Sequence, residues 1–128
     1  MITAKRILVI DDSPFIFKAV KKALEPHGYE IVGYAENGKR GLEMIKDLNP
    51  DLITLDITMP ILDGLEVAAI LIDQKTTSKI IMLSAMSDHE LLEQARQIGI
   101  EHFVPKPFKP DQLSDLVKYV FETSESYD

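Results

Sequence analysis

Short apolar runs alternate with longer amphipathic segments along the chain. The three strongest runs and two weaker ones are Ile7–Ile10, Leu52–Leu55, Ile80–Leu83, Glu30–Tyr34 and His102–Val104. These runs are too short for helices, and runs that are apolar on both faces are typical of parallel strands, which are buried on both sides. The pattern therefore predicts five short strands.

A segment with apolar residues at helical spacing follows each run. Ser13 and Pro14 predict the N-cap and first residue of the first helix. Asn49-Pro50 ends the second helix, and the third is predicted from about Leu65 to Gln74. Ser87-Asp88-His89-Glu90 has capping-box spacing and predicts the start of the fourth, with Gly99 as its C′ residue. A fifth helix carries apolar residues as far as Phe121.

The regular alternation of strands and helices predicts an α/β fold, a doubly wound parallel sheet with helices on both faces. The length of 128 residues fits a single domain. We expect an ordered core over 5–121 and a polar tail over 122–128. Right-handed crossovers place the carboxyl ends of all five strands at one edge of such a sheet.

Composition excludes several classes of protein. The formal charge is −7, from 21 acidic and 14 basic residues, which argues against direct binding of nucleic acid. There is no cysteine, so neither a disulfide nor a thiolate metal site is possible. The first apolar run is far too short for a membrane span or signal peptide. We therefore expect a cytoplasmic protein without membrane insertion.

Polar residues stand where four of the strands end. Asp11 and Asp12 follow the first strand, Asp56 the third, Ser84 the fourth and Lys106 the fifth. Ligands of open α/β sheets bind in the crevice at this edge. One shared site would explain all these placements.

Three neighbouring carboxylates repel each other, and a cation is the natural compensation. Mg²⁺ takes one or two carboxylates and completes its coordination with water and phosphate oxygens. A strand-end carboxylate such as Asp56 can attack a phosphoryl group and form an aspartyl phosphate. Lys106 and Ser84 could each hold one phosphoryl oxygen.

With these residues in this order, the chain resembles the CheY-like receiver domains of bacterial two-component response regulators. The matching motifs are Asp11-Asp12, Asp56 in Leu-Asp-Ile-Thr-Met-Pro, Asp63-Gly64, Ser84-Ala85 and Lys106-Pro107-Phe108. The resemblance spans about Lys5 to Phe121. It implies a flavodoxin-like sheet of order 2-1-3-4-5 and a cis Lys106-Pro107 bond. It also implies Mg²⁺ held by Asp11 or Asp12, Asp56 and the backbone carbonyl of Thr58.

The resemblance further implies a phosphoacceptor switch rather than a conventional enzyme. Asp56 would take a phosphoryl group from a sensor histidine kinase or a histidine phosphotransfer protein. Ser84 and Phe103 would then change the surface of the fourth helix, fifth strand and fifth helix, for a downstream target or a phosphorelay. We expect a monomer, or a dimer that forms on phosphorylation.

Three residues depart from the commonest pattern of that family. Ser84 replaces the more frequent threonine, and Phe103 lacks the hydroxyl of the usual tyrosine. Any switch at Phe103 must therefore act through packing alone. Pro105 removes a backbone donor just before Lys106.

Other interpretations stay open at this point. Asp12 could be only a helix cap, and Phe103 only a core residue. A magnesium phosphatase of the haloacid dehalogenase type also uses a strand-end aspartate, although it expects a carboxylate where Thr58 stands. A flavodoxin-like cofactor carrier would need phosphate-binding donors where the acidic pair stands. A degenerate receiver that serves as a scaffold is the fourth possibility.

Overall fold

The computed structural model describes residues 3–85 and 87–125. Five strands alternate with five α-helices in this part of the chain. In order they are β1 Arg6–Ile10, α1 Pro14–Leu24, β2 Glu30–Ala35, α2 Gly38–Leu48, β3 Leu52–Asp56, α3 Gly64–Asp73, β4 Lys79–Ser84, α4 His89–Gln97, β5 Phe103–Pro105 and α5 Pro110–Glu125. A short 3₁₀ turn follows α1. The predicted α/β alternation is confirmed.

The strands form one parallel sheet with the order β2-β1-β3-β4-β5, as the resemblance implied. The side chains on its two faces form two apolar clusters. One cluster lies on the face covered by α1 and α5, and the other on the face of α2, α3 and α4. All five residues of β3 are buried, because this central strand has helices on both sides.

Side-chain caps begin three of the helices. Ser13 accepts a hydrogen bond from the Ile16 amide, with Pro14 as the first helical residue, as predicted. Asn37 caps α2 in the same way. At α3, Asp63 and Glu66 form a reciprocal capping box that sequence reasoning missed. This box satisfies two backbone amides where the chain passes from the β3 loop into α3.

The capping box predicted at Ser87 and Glu90 is wrong. The fourth helix begins one residue later, with Asp88 as N-cap and no side-chain cap bond. The Asp88 carboxylate instead accepts a hydrogen bond from the Ala85 amide at 2.8 Å. The carboxylate therefore closes the turn that follows β4 rather than capping the helix.

Two boundaries differ from the prediction near the carboxyl terminus. The fifth strand spans Phe103–Pro105, one residue later than the predicted His102–Val104. Its pairing with β4 continues past Pro105, because the Lys106 amide donates to the Ser84 carbonyl at 2.7 Å. The fifth helix continues to Glu125, four residues into the segment predicted as a polar tail. The rest of that predicted tail, 126–128, lies outside the described residues.

None of the helices in the described ranges is both long enough and apolar enough to cross a membrane. The peptide bond between Lys106 and Pro107 is cis, as the resemblance implied.

The loop after β3 contains a strained residue. Ile61 has a φ of 72°, and the amide of Leu62 donates to the Pro60 carbonyl at 2.8 Å, which is the hydrogen bond of a γ-turn. A β-branched residue rarely adopts positive φ, and the cost is about 1 to 3 kcal/mol. The Ile61 side chain is 75% exposed, so burial does not offset this cost.

We predict that Ile61→Gly raises the free energy of unfolding by about 1 kcal/mol, because glycine adopts positive φ without strain. Urea unfolding measures the change. Ile61→Ala is the matched control, since it removes the same exposed side chain but keeps the Cβ that causes the strain. Equal effects of the two substitutions would contradict the strain explanation.

Candidate functional site

The predicted site residues meet at the carboxyl edge of the sheet. Asp11, Asp56 and Ser84 are at most 3% exposed there, whereas Asp12 lies at the exposed surface. The Lys106 side chain reaches the same place from the β5 edge and is 19% exposed. The structure therefore brings together the strand-end groups that the sequence singled out.

Lys106 joins two of the carboxylates. Its ammonium nitrogen lies 2.9 Å from Asp56 Oδ1, to which it donates a hydrogen bond, and 3.2 Å from Asp11 Oδ2. Asp11 Oδ1 accepts from the Ser13 amide at 2.9 Å. The lysine is thus the cation that compensates this buried acidic pair in the protein alone.

The backbone near Asp56 requires glycine at position 64. The Gly64 amide donates to the Ile57 carbonyl at 2.7 Å, and a Cβ at this position would lie 2.0 Å from the Asp56 carbonyl oxygen. No side chain fits this close approach. Gly64 therefore lets α3 begin directly against the end of β3.

Burial and charge shift the pKa values of the site. Burial, together with the negative charge of Asp11, raises the pKa of Asp56 to about 6, although Lys106 opposes the change. Burial also raises the pKa of Asp11, against the hydrogen bond from Ser13 and the charge of Lys106. Burial alone would lower the pKa of Lys106, but the hydrogen bond to Asp56 and the charge of Asp11 outweigh it and raise that pKa. Lys106 therefore stays protonated.

The acidic residues fit a hard divalent cation. One carboxylate oxygen from each of Asp11, Asp12 and Asp56 lies within 4.8 Å of the other two. Asp11 Oδ2 is buried and accepts no hydrogen bond from the described residues, despite its ion pair with Lys106. Such an under-coordinated oxygen, in an all-oxygen donor set, suits Mg²⁺. The role of the Thr58 backbone carbonyl as a ligand of Mg²⁺ stays a prediction.

Phe103, the expected switch residue, lies half-buried at the edge of the core near α4. The Arg96 guanidinium lies 5.2 Å from the centre of the Phe103 ring, and it also pairs with Glu93 at 3.2 Å. Sequence reasoning missed Arg96. No spacing rule connects a residue in the last turn of a helix with a residue on the next strand, so the sequence contains no signal for this contact.

Comparison with known proteins identifies relatives over most of the chain. Residues 7–118 match the family model described as the response regulator receiver domain. The chemotaxis protein CheY of Bacillus subtilis is 38% identical, over 89% of this chain and 95% of that protein.

Solved structures share the fold. A CheY-like response regulator receiver domain protein from Methanospirillum hungatei has a TM-score of 0.89 and 26% identity, over 98% of this chain and all of that one (100%). CheY of Borrelia burgdorferi, solved in a complex with CheX, BeF3 and Mg²⁺, has a TM-score of 0.83 and 28% identity. The alignment covers 91% of this chain and 89% of that one.

We predict that the metal-free protein becomes more stable as the pH falls from about 7 to about 5. The folded state holds the Asp56 proton with a pKa of about 6, against 3.8 as the ordinary value. Through Asp56 the folded state binds more protons than the unfolded chain in this interval, so this group adds stability as the pH falls. The cost of the charged carboxylate is present in full only well above pH 6, where Asp56 is ionised in the folded state.

The test is urea unfolding in EDTA at both pH values. We expect Asp56→Asn to be more stable than the wild type at the higher pH, by about 2 kcal/mol, and to show a weaker pH dependence. A wild type whose stability does not rise relative to that of Asp56→Asn as the pH falls over this interval would contradict the assignment.

Proposed function

This chain belongs to the family of response regulator receiver domains, and we propose that it accepts a phosphoryl group on Asp56. The observation that carries the proposal is the bridge from Lys106 to the buried carboxylates of Asp56 and Asp11, beside a third carboxylate. A structural ion pair would need one carboxylate. The additional acidic residues are the ligands of a cation site.

In the proposed reaction, an oxygen of Asp56 attacks the phosphorus of a phosphohistidine. The phosphorus–nitrogen bond breaks, and its electron pair stays on the imidazole, which takes a proton from solvent. Asp56 must be ionised to attack, and a pKa of about 6 leaves most of it ionised at neutral pH. Lys106 remains protonated and lies close enough to Asp56 to hold a phosphoryl oxygen.

Receiver domains bind Mg²⁺ at an acidic pocket, and Asp11, Asp12 and Asp56 are the residues that would hold it here. Bound Mg²⁺ would neutralise part of the charge on the phosphoryl oxygens. Ser84, buried at the end of β4 between the strands of Asp56 and Lys106, would donate its hydroxyl to another of these oxygens.

Receiver domains are phosphoacceptor switches rather than conventional enzymes, and this chain is a member of that family. The proposed partners are therefore a sensor histidine kinase or phosphotransfer protein and a downstream target, in the cytoplasm. A phosphatase of the haloacid dehalogenase type is disfavoured because Thr58 stands where that class has its second carboxylate. The acidic pair would likewise repel the phosphate of a flavodoxin-like cofactor.

The output surface that we propose consists of α4, β5 and α5. Phe103 has no hydroxyl, so its half-buried position depends on packing and on the contact of its ring face with Arg96. An exposed cation–π contact contributes about 0.5 to 1 kcal/mol. Arg96 would therefore favour the unphosphorylated arrangement, and Ser84 and Phe103 would move together on phosphorylation.

We predict that Asp56→Asn abolishes phosphoryl uptake from acetyl phosphate or a phosphorylated histidine kinase in Mg²⁺. The amide oxygen is a far weaker nucleophile than a carboxylate. Intact-protein mass spectrometry measures the gain of one phosphoryl group. Asp73→Asn, at the exposed end of α3, is the matched control and should be phosphorylated like the wild type. Uptake by Asp56→Asn at the wild-type level would refute the proposal.

A separate prediction concerns the switch. We expect Arg96→Gln to bind BeF3 with Mg²⁺ about two- to fivefold more tightly, because the loss of 0.5 to 1 kcal/mol destabilises only the unphosphorylated arrangement. Amide chemical shifts report the binding. Arg40→Gln is the matched control, since Arg40 makes the same type of exposed pair, with Glu43. Unchanged affinity of Arg96→Gln would exclude a role for this contact.

A further inference from the structure

A row of residues crosses the sheet directly beneath the acidic cluster. Val9 on β1 pairs with Tyr34 on β2 and with Thr54 on β3. Alternate residues of a strand share a face. Asp11 follows Val9 by two residues and Asp56 follows Thr54 by two, so both carboxylates lie one step above this row, on the face of α1 and α5.

Two hydroxyls in this row are buried without a partner. Thr54 Oγ1 and Tyr34 Oη make no hydrogen bond within the described residues, and Thr54 is 0% exposed. Among the described residues, one other buried side-chain oxygen, Asp11 Oδ2, accepts no hydrogen bond. Asp11 Oδ2 keeps its ion pair with Lys106, so the two hydroxyls are the atoms without any partner in the described part of the chain, and they lie beneath the acidic cluster. Buried polar atoms without partners are rare, because each loses its hydrogen bonds to water.

Packing alone does not explain the hydroxyls. The buried hydrophobic residues of this face are almost all aliphatic. Valine in place of Thr54 would keep the β-branched shape preferred in strands and would remove the unpaired group. Packing therefore gives no reason for a hydroxyl at position 54.

Tyr34 is held in place by its ring. The ring stacks on Phe17 of α1, with 4.4 Å between the centroids. Burial raises the pKa of Tyr34, and the negative charges of Glu36, Asp11 and Asp12 raise it further. The phenol is thus in the electric field of the acidic cluster.

We propose that the hydroxyls of Tyr34 and Thr54 form a polar layer that supports Asp11 and Asp56 through buried water and thereby favours cation binding. Buried waters typically bridge polar groups that are otherwise unsatisfied. A donor directed at a carboxylate stabilises its ionised form, which is the form that binds a cation. Tyr34 and Thr54 are positioning residues in this scheme and do not contact the cation. The inference rests on the proposed function, because it concerns the same cation site.

The test compares Mg²⁺ affinity and stability in the same variants. We expect Thr54→Val and Tyr34→Phe each to lower Mg²⁺ affinity by roughly tenfold, the lower end of the range typical of groups that orient metal ligands. Calorimetric titration with MgCl₂ measures the affinity. Thr54→Val should unfold in EDTA at the same or a higher urea concentration than the wild type. Lower affinity without lower stability is a result that a purely structural role does not give.

Three controls match these variants. Tyr29→Phe removes the hydroxyl of the tyrosine that directly precedes β2, at the end of that strand away from the site. Thr77→Val removes the hydroxyl of an exposed threonine, and both variants should bind Mg²⁺ like the wild type. Thr54→Ser keeps the hydroxyl and loses the methyl group, so it should be less stable but retain Mg²⁺ affinity.

The two proposals fail in different ways. Wild-type affinity in both Thr54→Val and Tyr34→Phe, or loss of affinity in Thr54→Ser equal to that in Thr54→Val, would overturn the polar layer alone. A wild-type protein that does not bind Mg²⁺ would overturn the cation site of the proposed function, and the polar layer with it.

Discussion

The contact of one lysine ammonium with two buried carboxylates is the constraint on which the rest of this structure depends. Lys106 lies within 3.2 Å of both Asp56 and Asp11, although β5 is separated from β3 by β4. The long lysine side chain must cross the end of β4, where Ser84 stands. The parallel sheet makes this possible, because it ends all three strands at the same edge.

One lysine does not neutralise the acidic cluster. The raised pKa values of Asp56 and Asp11 show that their charged forms remain costly despite Lys106. This residual cost favours whatever brings positive charge to the site, whether a proton or a divalent cation. The ionised carboxylates therefore lower the stability of the folded protein, as is common at functional sites.

The site has different surroundings on its three sides. Above and beside it, the β3 loop is held by Gly64 and by the capping box of Asp63 and Glu66. Beneath it, the core contains two hydroxyls among aliphatic side chains. Toward the β5 edge, Phe103 and Arg96 form a contact at the surface. Asp56 thus lies between a buried layer of the core and a more exposed contact on the β5 side.

The sequence by itself determined the fold class, the strand-end positions of the polar residues and the identity of the family, because period, caps and motif order are local properties. It did not determine helix starts that depend on competing hydrogen bonds, such as the one from Ala85 that Asp88 accepts instead of capping its helix. Only the tertiary structure decided that Arg96 covers Phe103 and that Tyr34 and Thr54 lie in one row beneath the carboxylates. Those relations join residues distant in sequence through strand register and packing, which no local pattern encodes.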